Sequence, residues 1–314
     1  MTTEWDCIVV GGGAAGLSAA LVLGRARRKT LVIDAGNPSN AVAHGIGGLL
    51  GSDTRPPADF YAAGRAELVA YPTVELRAGE VVAGERRETS FALHLADRSS
   101  AHARRVLLAT GMEYRLPELP GIAERWGRSV FHCPFCHGWE NRDKPLGVLR
   151  RDGSLLLRAW SEDVTLYTDG PAELSSEERA RLDAAGVAVD ERRVVRLRGR
   201  GDELTAVEFD DGDQRACEGL LVPFTLHQRS TLAEQLGATH APPGPVATDA
   251  LEVDEQFATS VPGLYAAGDV SSQVPSIASS VAAGQQAAAM LVVGLMSDAP
   301  ATTAVRNADP NTRQ

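Results

Sequence analysis

Cys7-Ile8-Val9-Val10-Gly11-Gly12-Gly13-Ala14-Ala15-Gly16 is the stretch on which the fold turns. Cys7 to Val10 is a short apolar run suited to a buried parallel strand, Ala14 to Leu23 has helix-forming composition, and Thr30-Leu31-Val32-Ile33 supplies a second strand. The glycines therefore fall at the strand-to-helix turn of a β-α-β unit. Gly11 permits the tight turn, Gly13 lets backbone amides approach a pyrophosphate, and Gly16 lets the helix pack close to the strand. Asp34, at the end of the second strand, adds a carboxylate that accepts hydrogen bonds from an adenosine ribose and repels a 2′-phosphate. The reading is a dinucleotide site built from Gly11, Gly12, Gly13, Ala14, Ala15, Gly16, Asp34 and Ala35; the alternative is a plain glycine turn.

The rest of the composition narrows the class. A chain of 314 residues with 44% hydrophobic content can bury a sizeable core and would divide into about two domains. A net charge of −10 argues against nucleic acid as a partner. The clusters Arg25-Ala26-Arg27-Arg28 and Arg192-Arg193 read as solvated faces. No basic segment, apolar stretch and small-residue cleavage site opens the chain. The apolar region Ile277 to Met296 is interrupted by Ser279, Ser280, Gly284, Gln285 and Gln286, so a buried helix rather than a membrane span is expected. Cytoplasmic residence follows as an expectation. Cys7 and Cys217 lie in apolar surroundings and read as ordinary buried thiols.

A second motif carries chemistry: Phe131-His132-Cys133-Pro134-Phe135-Cys136-His137-Gly138-Trp139-Glu140. In a reducing compartment a Cys-x-x-Cys pair is more often redox-active or metal-binding than structural. Thiolate is the reactive form, favoured by a nearby histidinium or a helix amino terminus. His137 is the first candidate to accept a proton from a cysteine or substrate thiol near neutral pH, and His132 the second. Either imidazole could instead serve only as a structural hydrogen-bonding group. Zinc is the competing reading of the cysteines, but there is no second cysteine pair and the histidines sit directly beside the thiols, which suits tetrahedral coordination poorly. No metal is expected.

Two later segments, Val106-Leu107-Leu108-Ala109-Thr110-Gly111 and Gly263-Leu264-Tyr265-Ala266-Ala267-Gly268-Asp269, resemble the closing strands of FAD domains in two-dinucleotide-fold disulfide reductases. The resemblance covers nearly the whole chain and implies a Rossmann-like α/β flavoprotein with FAD as cofactor. It implies that Asp269 binds the ribityl chain and that the following helix points its amino end, near Ser276 and Ile277, at the isoalloxazine, with Pro275 in its first turn. Ala109, Thr110 and Gly111 join the cofactor site, Val82 lies near the adenine, and the loop from Gly36 to Gly45 brings Asn40 and His44 over the flavin, with ordinary loop polarity as the alternative for both. Val74 to Val82, Ser90 to Leu95 and Arg104 to Leu108 correspond to the family's small antiparallel layer.

A Pro-rich crossing from Leu116 to Gly121 and a return between Val222 and Ser230 match the layout of low-molecular-weight thioredoxin reductases. The FAD domain is then split into 1–116 and 227–298, with a smaller domain at 117–226 inserted and a tail, 299–314, of disordered composition. In that family the redox cysteines lie in the inserted domain. By resemblance Cys136 faces the flavin and forms a transient thiolate-flavin adduct, Cys133 exchanges with substrate thiols, and the enzyme is a homodimer. His137 departs from the thioredoxin reductase pattern, which places an aspartate after the second cysteine.

A larger departure follows. A reductase fed by NADPH needs a second glycine turn after Leu146-Gly147-Val148-Leu149, where this chain has Arg150-Arg151-Asp152-Gly153-Ser154. The stretch to the next strand, Val164 to Thr168, leaves room for a crossover helix of about two turns, near Leu155 to Trp160. The inserted NAD(P)-type domain therefore reads as degenerate, with Arg150 and Arg151 as a solvated loop. The Cys-Pro-Phe-Cys-His-Gly-Trp-Glu motif with a dispensable nucleotide site is similar to the dithiol oxidases that close disulfides in natural products such as gliotoxin, holomycin and romidepsin. An Ala- and Arg-rich chain tilts the resemblance toward the holomycin, dithiolopyrrolone type. It implies a small-molecule dithiol as substrate and O2 as acceptor, yielding H2O2. Two alternatives stay open: a thioredoxin reductase-like enzyme reduced by NADPH or another donor, and a non-catalytic flavin-binding protein.

Overall fold

The computed structural model describes residues 4–150 and 153–297. The first unit runs β1 (Glu4–Val10), α1 (Ala14–Arg25), β2 (Thr30–Asp34), α2 (Pro57–Leu68), β3 (Val74–Ala78), β4 (Val81–Arg86), β5 (Phe91–Leu95) and β6 (Ser100–Leu108). Its sheet has the order β3-β2-β1-β6-β5-β4. β3, β2, β1 and β6 are parallel, whereas β4 and β5 are antiparallel additions. Ile8, Val9, Leu31, Val32, Val106 and Leu107 are fully buried, as expected of parallel strands covered on both faces.

This differs from the sequence expectation in two places. Val74 to Val82 is two strands, broken at Gly79, where φ is +159°. The first of them, β3, extends the parallel sheet. Arg104 to Leu108 is the second half of the nine-residue β6, which pairs with β1 along its length and with β5 only at its start.

The chain leaves through β7 (Met112–Arg115) and enters a second unit: β8 (Val130–Phe131), α3 (Pro134–His137), β9 (Leu146–Leu149), α4 (Ser154–Leu157), β10 (Val164–Tyr167), α5 (Ser176–Ala184), β11 (Val187–Asp190), β12 (Val194–Arg200), β13 (Glu203–Phe209), β14 (Gln214–Ala216) and β15 (Gly219–Leu221). A parallel sheet ordered β11-β10-β9-β15-β8 is joined by the antiparallel meander β12-β13-β14. The crossover helix α4 is a single turn, shorter than the two turns its length allowed. The chain returns through β16 (Thr225–Gln228), which pairs antiparallel with β7, so the two connections are hydrogen-bonded to each other. Arg151, Asp152 and the expected tail at 299–314 lie outside the described residues.

After the return come α6 (Leu232–Gln235), β17 (Leu264–Ala266) and α7 (Ile277–Ser297). β17 adds to the second half of β6 in parallel. Helix α7 is long and apolar enough, by length and composition alone, to cross a membrane. Here it packs along α1: a Cβ on Gly284 would stand 2.0 Å from the Ala15 carbonyl oxygen, and Ala287, Ala288 and Leu291 are fully buried. Small residues on both helices permit that approach, and Ser18 donates a hydrogen bond to the Val281 carbonyl across it.

Candidate active site

A cleft of about 930 Å³ opens at the carboxyl ends of β1, β2 and β6 and is walled on one side by α3 of the second unit. The glycine turn forms its floor. Gly11 takes φ +108° and donates its amide to the Ile33 carbonyl, and a Cβ there would lie 2.2 Å from the Ala109 oxygen. A Cβ on Gly16 would lie 1.8 Å from the Gly11 oxygen, so Gly16 supports the turn from outside the cleft. Gly13, by contrast, has nothing within 4 Å of its Cβ position and opens into the cleft. Asp34 accepts from the Gly12 and Gly36 amides, each at 3.1 Å, and from Arg65 at 3.0 Å. Burial works to raise its carboxyl, but these donors outweigh it and hold Asp34 below the ordinary carboxylate value.

The other end of the floor is polar. Asp269 follows β17 and is partly buried, and desolvation raises its carboxyl above the ordinary value. Ser280 donates to it at 3.1 Å and Tyr114 at 3.3 Å, which opposes that rise. Helix α7 begins beside it. Ser276 is its cap, accepting the Ser279 amide on its hydroxyl at 3.0 Å, so Pro275 precedes the cap and does not sit in the first turn. Ser276, Ile277 and Ala278 face the cleft, where the positive end of the helix dipole favours negative charge. Ala14, Ala15, Ala35, Ala109, Thr110 and Gly111 also line it, and the Cβ position of Gly111 is open. The open glycines, the anionic Asp34 and the partly buried Asp269 fit FAD.

At the mouth stands the redox pair. Cys133 and Cys136 form a disulfide, with Cα atoms 5.3 Å apart, on the one-turn helix α3, and Pro134 provides the pre-set first helical residue. Among the described residues no three His, Cys, Asp or Glu side chains converge as a metal site. Gly47, on the loop over the cleft, touches α3 so closely that a Cβ would fall 2.3 Å from the Cys136 oxygen. Behind α3, a Cβ on Gly138 would meet the Trp160 ring at 2.7 Å. Both contacts fix the disulfide at the cleft.

The two histidines differ in setting. Nε2 of His137 lies 3.1 Å from the Gly127 carbonyl. A carbonyl can only accept, so Nε2 carries a hydrogen. Nδ1 is buried with no hydrogen bond of good geometry among the described residues, and the Cys133 carbonyl also lies against the ring. Burial lowers the His137 pKa from 6.5, favouring the neutral ring, with backbone carbonyls and Glu140 opposing. His132 packs into an aromatic cluster, 4.6 Å from the Phe224 ring, 5.2 Å from Tyr114 and 5.4 Å from Trp126. Both histidines line the cleft with the cysteines.

The corresponding strand-to-helix turn of the second unit is built differently. Arg150 takes the place that Gly11 has in the first: its amide donates to the Tyr167 carbonyl at 2.9 Å, as Gly11 donates to Ile33 at 2.8 Å. It holds φ +49°, unfavourable for a side chain, and its guanidinium is ion-paired with Asp169 rather than merely solvated. Asp169 also accepts the Val194 amide at 2.7 Å and is itself largely buried. The one-turn α4 offers little of the aligned amide array that holds a pyrophosphate.

Two expected cofactor contacts lie elsewhere. His44 points out of the cleft to Asp202, at 3.1 Å, because the second unit's β12–β13 turn presents a carboxylate there. Val82 is half exposed and off the cleft; β4 starts at Val81, and strand alternation puts Val81 on the cleft side. Asn40 does line the cleft, where it accepts a 2.9 Å hydrogen bond from Tyr61. Tyr61, Tyr114 and Arg229 are cleft residues that sequence reasoning missed. Arg229 is tied by its guanidinium to the carbonyls of Met112 and Asn37. Only Tyr114 had a nearby signal, following closely on Ala109-Thr110-Gly111.

The profile of the family described as "Pyridine nucleotide-disulphide oxidoreductase" matches residues 5–287. A thioredoxin reductase, tcpT, of Claviceps purpurea is 30% identical over 309 residues, spanning 93% of this chain and 95% of that protein. The crystal structure of an oxidoreductase from Agrobacterium tumefaciens superposes with a TM-score of 0.89 at 33% identity, covering 94% of this chain and all of that one. The crystal structure of HlmI gives a TM-score of 0.87 at 37% identity, covering 95% of each chain. The chain belongs to the pyridine nucleotide-disulphide oxidoreductase family. It is a thioredoxin reductase-like, FAD-dependent disulfide oxidoreductase with the two-dinucleotide fold.

Proposed function

We propose that this FAD-dependent disulfide oxidoreductase is a dithiol oxidase, closing an intramolecular disulfide in a small-molecule natural product of the dithiolopyrrolone kind, such as holomycin, with O2 as final acceptor. The observation that carries the reading is Arg150, ion-paired with Asp169, at the position where the first unit has Gly11, while the Cys133–Cys136 disulfide lines the FAD cleft together with His137. Electrons then enter through the disulfide rather than from a nicotinamide. The likeness to HlmI is consistent with it.

The exchange balances in two steps. A deprotonated substrate thiol attacks one cysteine sulfur, the Cys133–Cys136 bond breaks and a mixed disulfide forms. The second substrate thiol displaces the first cysteine, so the substrate leaves as a cyclic disulfide and the chain keeps two thiols, having taken two electrons and two protons. We assign Cys133 to the substrate side and Cys136 to the flavin side. Bound FAD supplies the two-electron acceptor for the cysteine dithiol and hands the pair, with two protons, to O2 as H2O2. The amides of the glycine turn and Asp34 would hold its adenosine and pyrophosphate, and Asp269 its ribityl hydroxyls. His137 Nδ1 takes the thiol proton at each exchange. His132 and its aromatic neighbours wall the cleft near the pair.

The second reading is an NADPH-driven thioredoxin reductase, favoured by the names of curated relatives such as tcpT. The two part on NADPH, which bleaches the flavin of a reductase and not that of the oxidase; the route through the disulfide is tested at Cys136. With the oxidase, Cys136→Ser retains FAD but loses dithiol-driven bleaching of the flavin by at least about 10³-fold. Unchanged bleaching in that variant would remove the disulfide from the path. As part of the same proposal, the enzyme works as a homodimer in the cytoplasm.

A further inference from the structure

Asn141 is 4% exposed and uses its amide for one task. Nδ2 donates to the His137 carbonyl at 2.9 Å and to the Arg128 carbonyl at 3.4 Å. The His137 carbonyl ends the one-turn helix α3 and would otherwise lack a partner within it. The neighbouring carbonyl in the same turn, that of Gly127, is the one that holds His137 Nε2. The turn is itself tied down by hydrogen bonds from Gly127 to the Val130 carbonyl and from Arg128 to the Arg125 carbonyl. Gly219 of β15 leaves room for the Asn141 side chain: a Cβ there would come within 3.3 Å of Asn141 Cβ. Asn141 therefore clamps the backbone of His137 to the turn that clamps its ring.

We infer that Asn141 is the positioning residue of His137: by bridging the His137 and Arg128 carbonyls it keeps the ring on the Gly127 carbonyl, in the orientation that serves the cysteine pair. The inference rests on the proposed role of His137 as base. An apolar residue at position 141 would remove the side-chain donor from the His137 and Arg128 carbonyls. The groups facing His137 are the Cys133 and Gly127 carbonyls, the Glu140 carboxylate, the His132 ring at 6.5 Å, the Phe131 ring stacked on it at 5.7 Å, and the cysteine pair.

The test uses the FAD-loaded full chain and dithiothreitol as the reducing dithiol, without oxygen, with flavin bleaching followed across pH. Nitrogen NMR of the histidine rings reports the His137 tautomer independently of turnover. In Asn141→Ala the rate falls roughly 10- to 100-fold through misplacement of the base, the acid limb moves up toward the ordinary histidine value as the ring hydrates, and the Nε2-protonated tautomer gives way to a mixture. Added to His137→Ala, the same change slows reduction by less than about twofold, since the two act as one unit. If Asn141→Ala does not fold, Asn141→Ser is read in the same way. A wild-type tautomer with an unshifted limb, or an equal slowing with and without His137, overturns the inference. A wild-type protein that dithiols do not reduce, or a His137→Ala variant with an unchanged acid limb, sinks the parent reading instead, and the tautomer measurement then decides Asn141 alone.

Discussion

At the scale of single residues, the account rests on the environment of His137. Burial of the ring, opposed by the Cys133 and Gly127 carbonyls and Glu140, lowers its pKa, so His137 stays neutral below the pH at which a free histidine would already be charged. The sign follows directly: burial lowers the pKa, the neutral base persists to lower pH, and the acid limb of dithiol-driven reduction lies below 6.5. Replacing His137 by alanine should slow that reduction about 10²-fold or more and abolish the limb, as read by stopped-flow bleaching across pH. The place of His137 beside the disulfide at the cleft was legible in the sequence because it adjoins Cys133 and Cys136 in the chain. His44 was not, because the direction of a loop side chain is set by its partner, here Asp202 on a remote hairpin. Val82 failed for a narrower reason: the strand begins at Val81, and a one-residue shift exchanges the cleft face for the solvent face.

Among the elements, the contrast between two strand-to-helix turns carries the argument. The first has Gly11, an open Gly13 and the twelve-residue helix α1; the second has Arg150 at the matching position and the four-residue α4. Gly13 lies in extended backbone with nothing within 4 Å of its Cβ position, so Gly13→Val should leave the fold intact while filling the pyrophosphate approach. The expected outcome is protein purified with little or no FAD, and a melting point close to that of the wild-type protein stripped of FAD. Helix α7 makes the opposite prediction. Gly284→Val would drive a side chain into the Ala15 backbone and should destabilise the protein by about 1–3 kcal/mol or more, measured by denaturant unfolding. Both turns could be read from the sequence, since glycine spacing maps onto backbone approach. The Arg150–Asp169 pair could not, because it joins side chains that follow two different strands, at a turn the sequence shows only as poor in glycine.

For the molecule as a whole, function follows from how the two units meet. Arg128 donates to the Val42 carbonyl at 2.9 Å and pairs with Asp202 at 2.5 Å, His44 adds its own contact to Asp202, and Gly47 lies on Cys136. Together with the paired connections β7 and β16, these contacts set the disulfide against the FAD cleft. The split of the sheet units around the cysteines was visible in the crossing segments, whereas the contacts that join the units involve residues far apart in the chain and carry no local pattern. The central claim is that electrons reach FAD from a dithiol through Cys133–Cys136 and not from a nicotinamide. It is tested most directly by mixing the oxidised protein, without oxygen, with a small dithiol in one experiment and with NADPH in another, following the flavin absorbance. The account predicts rapid bleaching by the dithiol and none by NADPH; rapid bleaching by NADPH with none by the dithiol would contradict it.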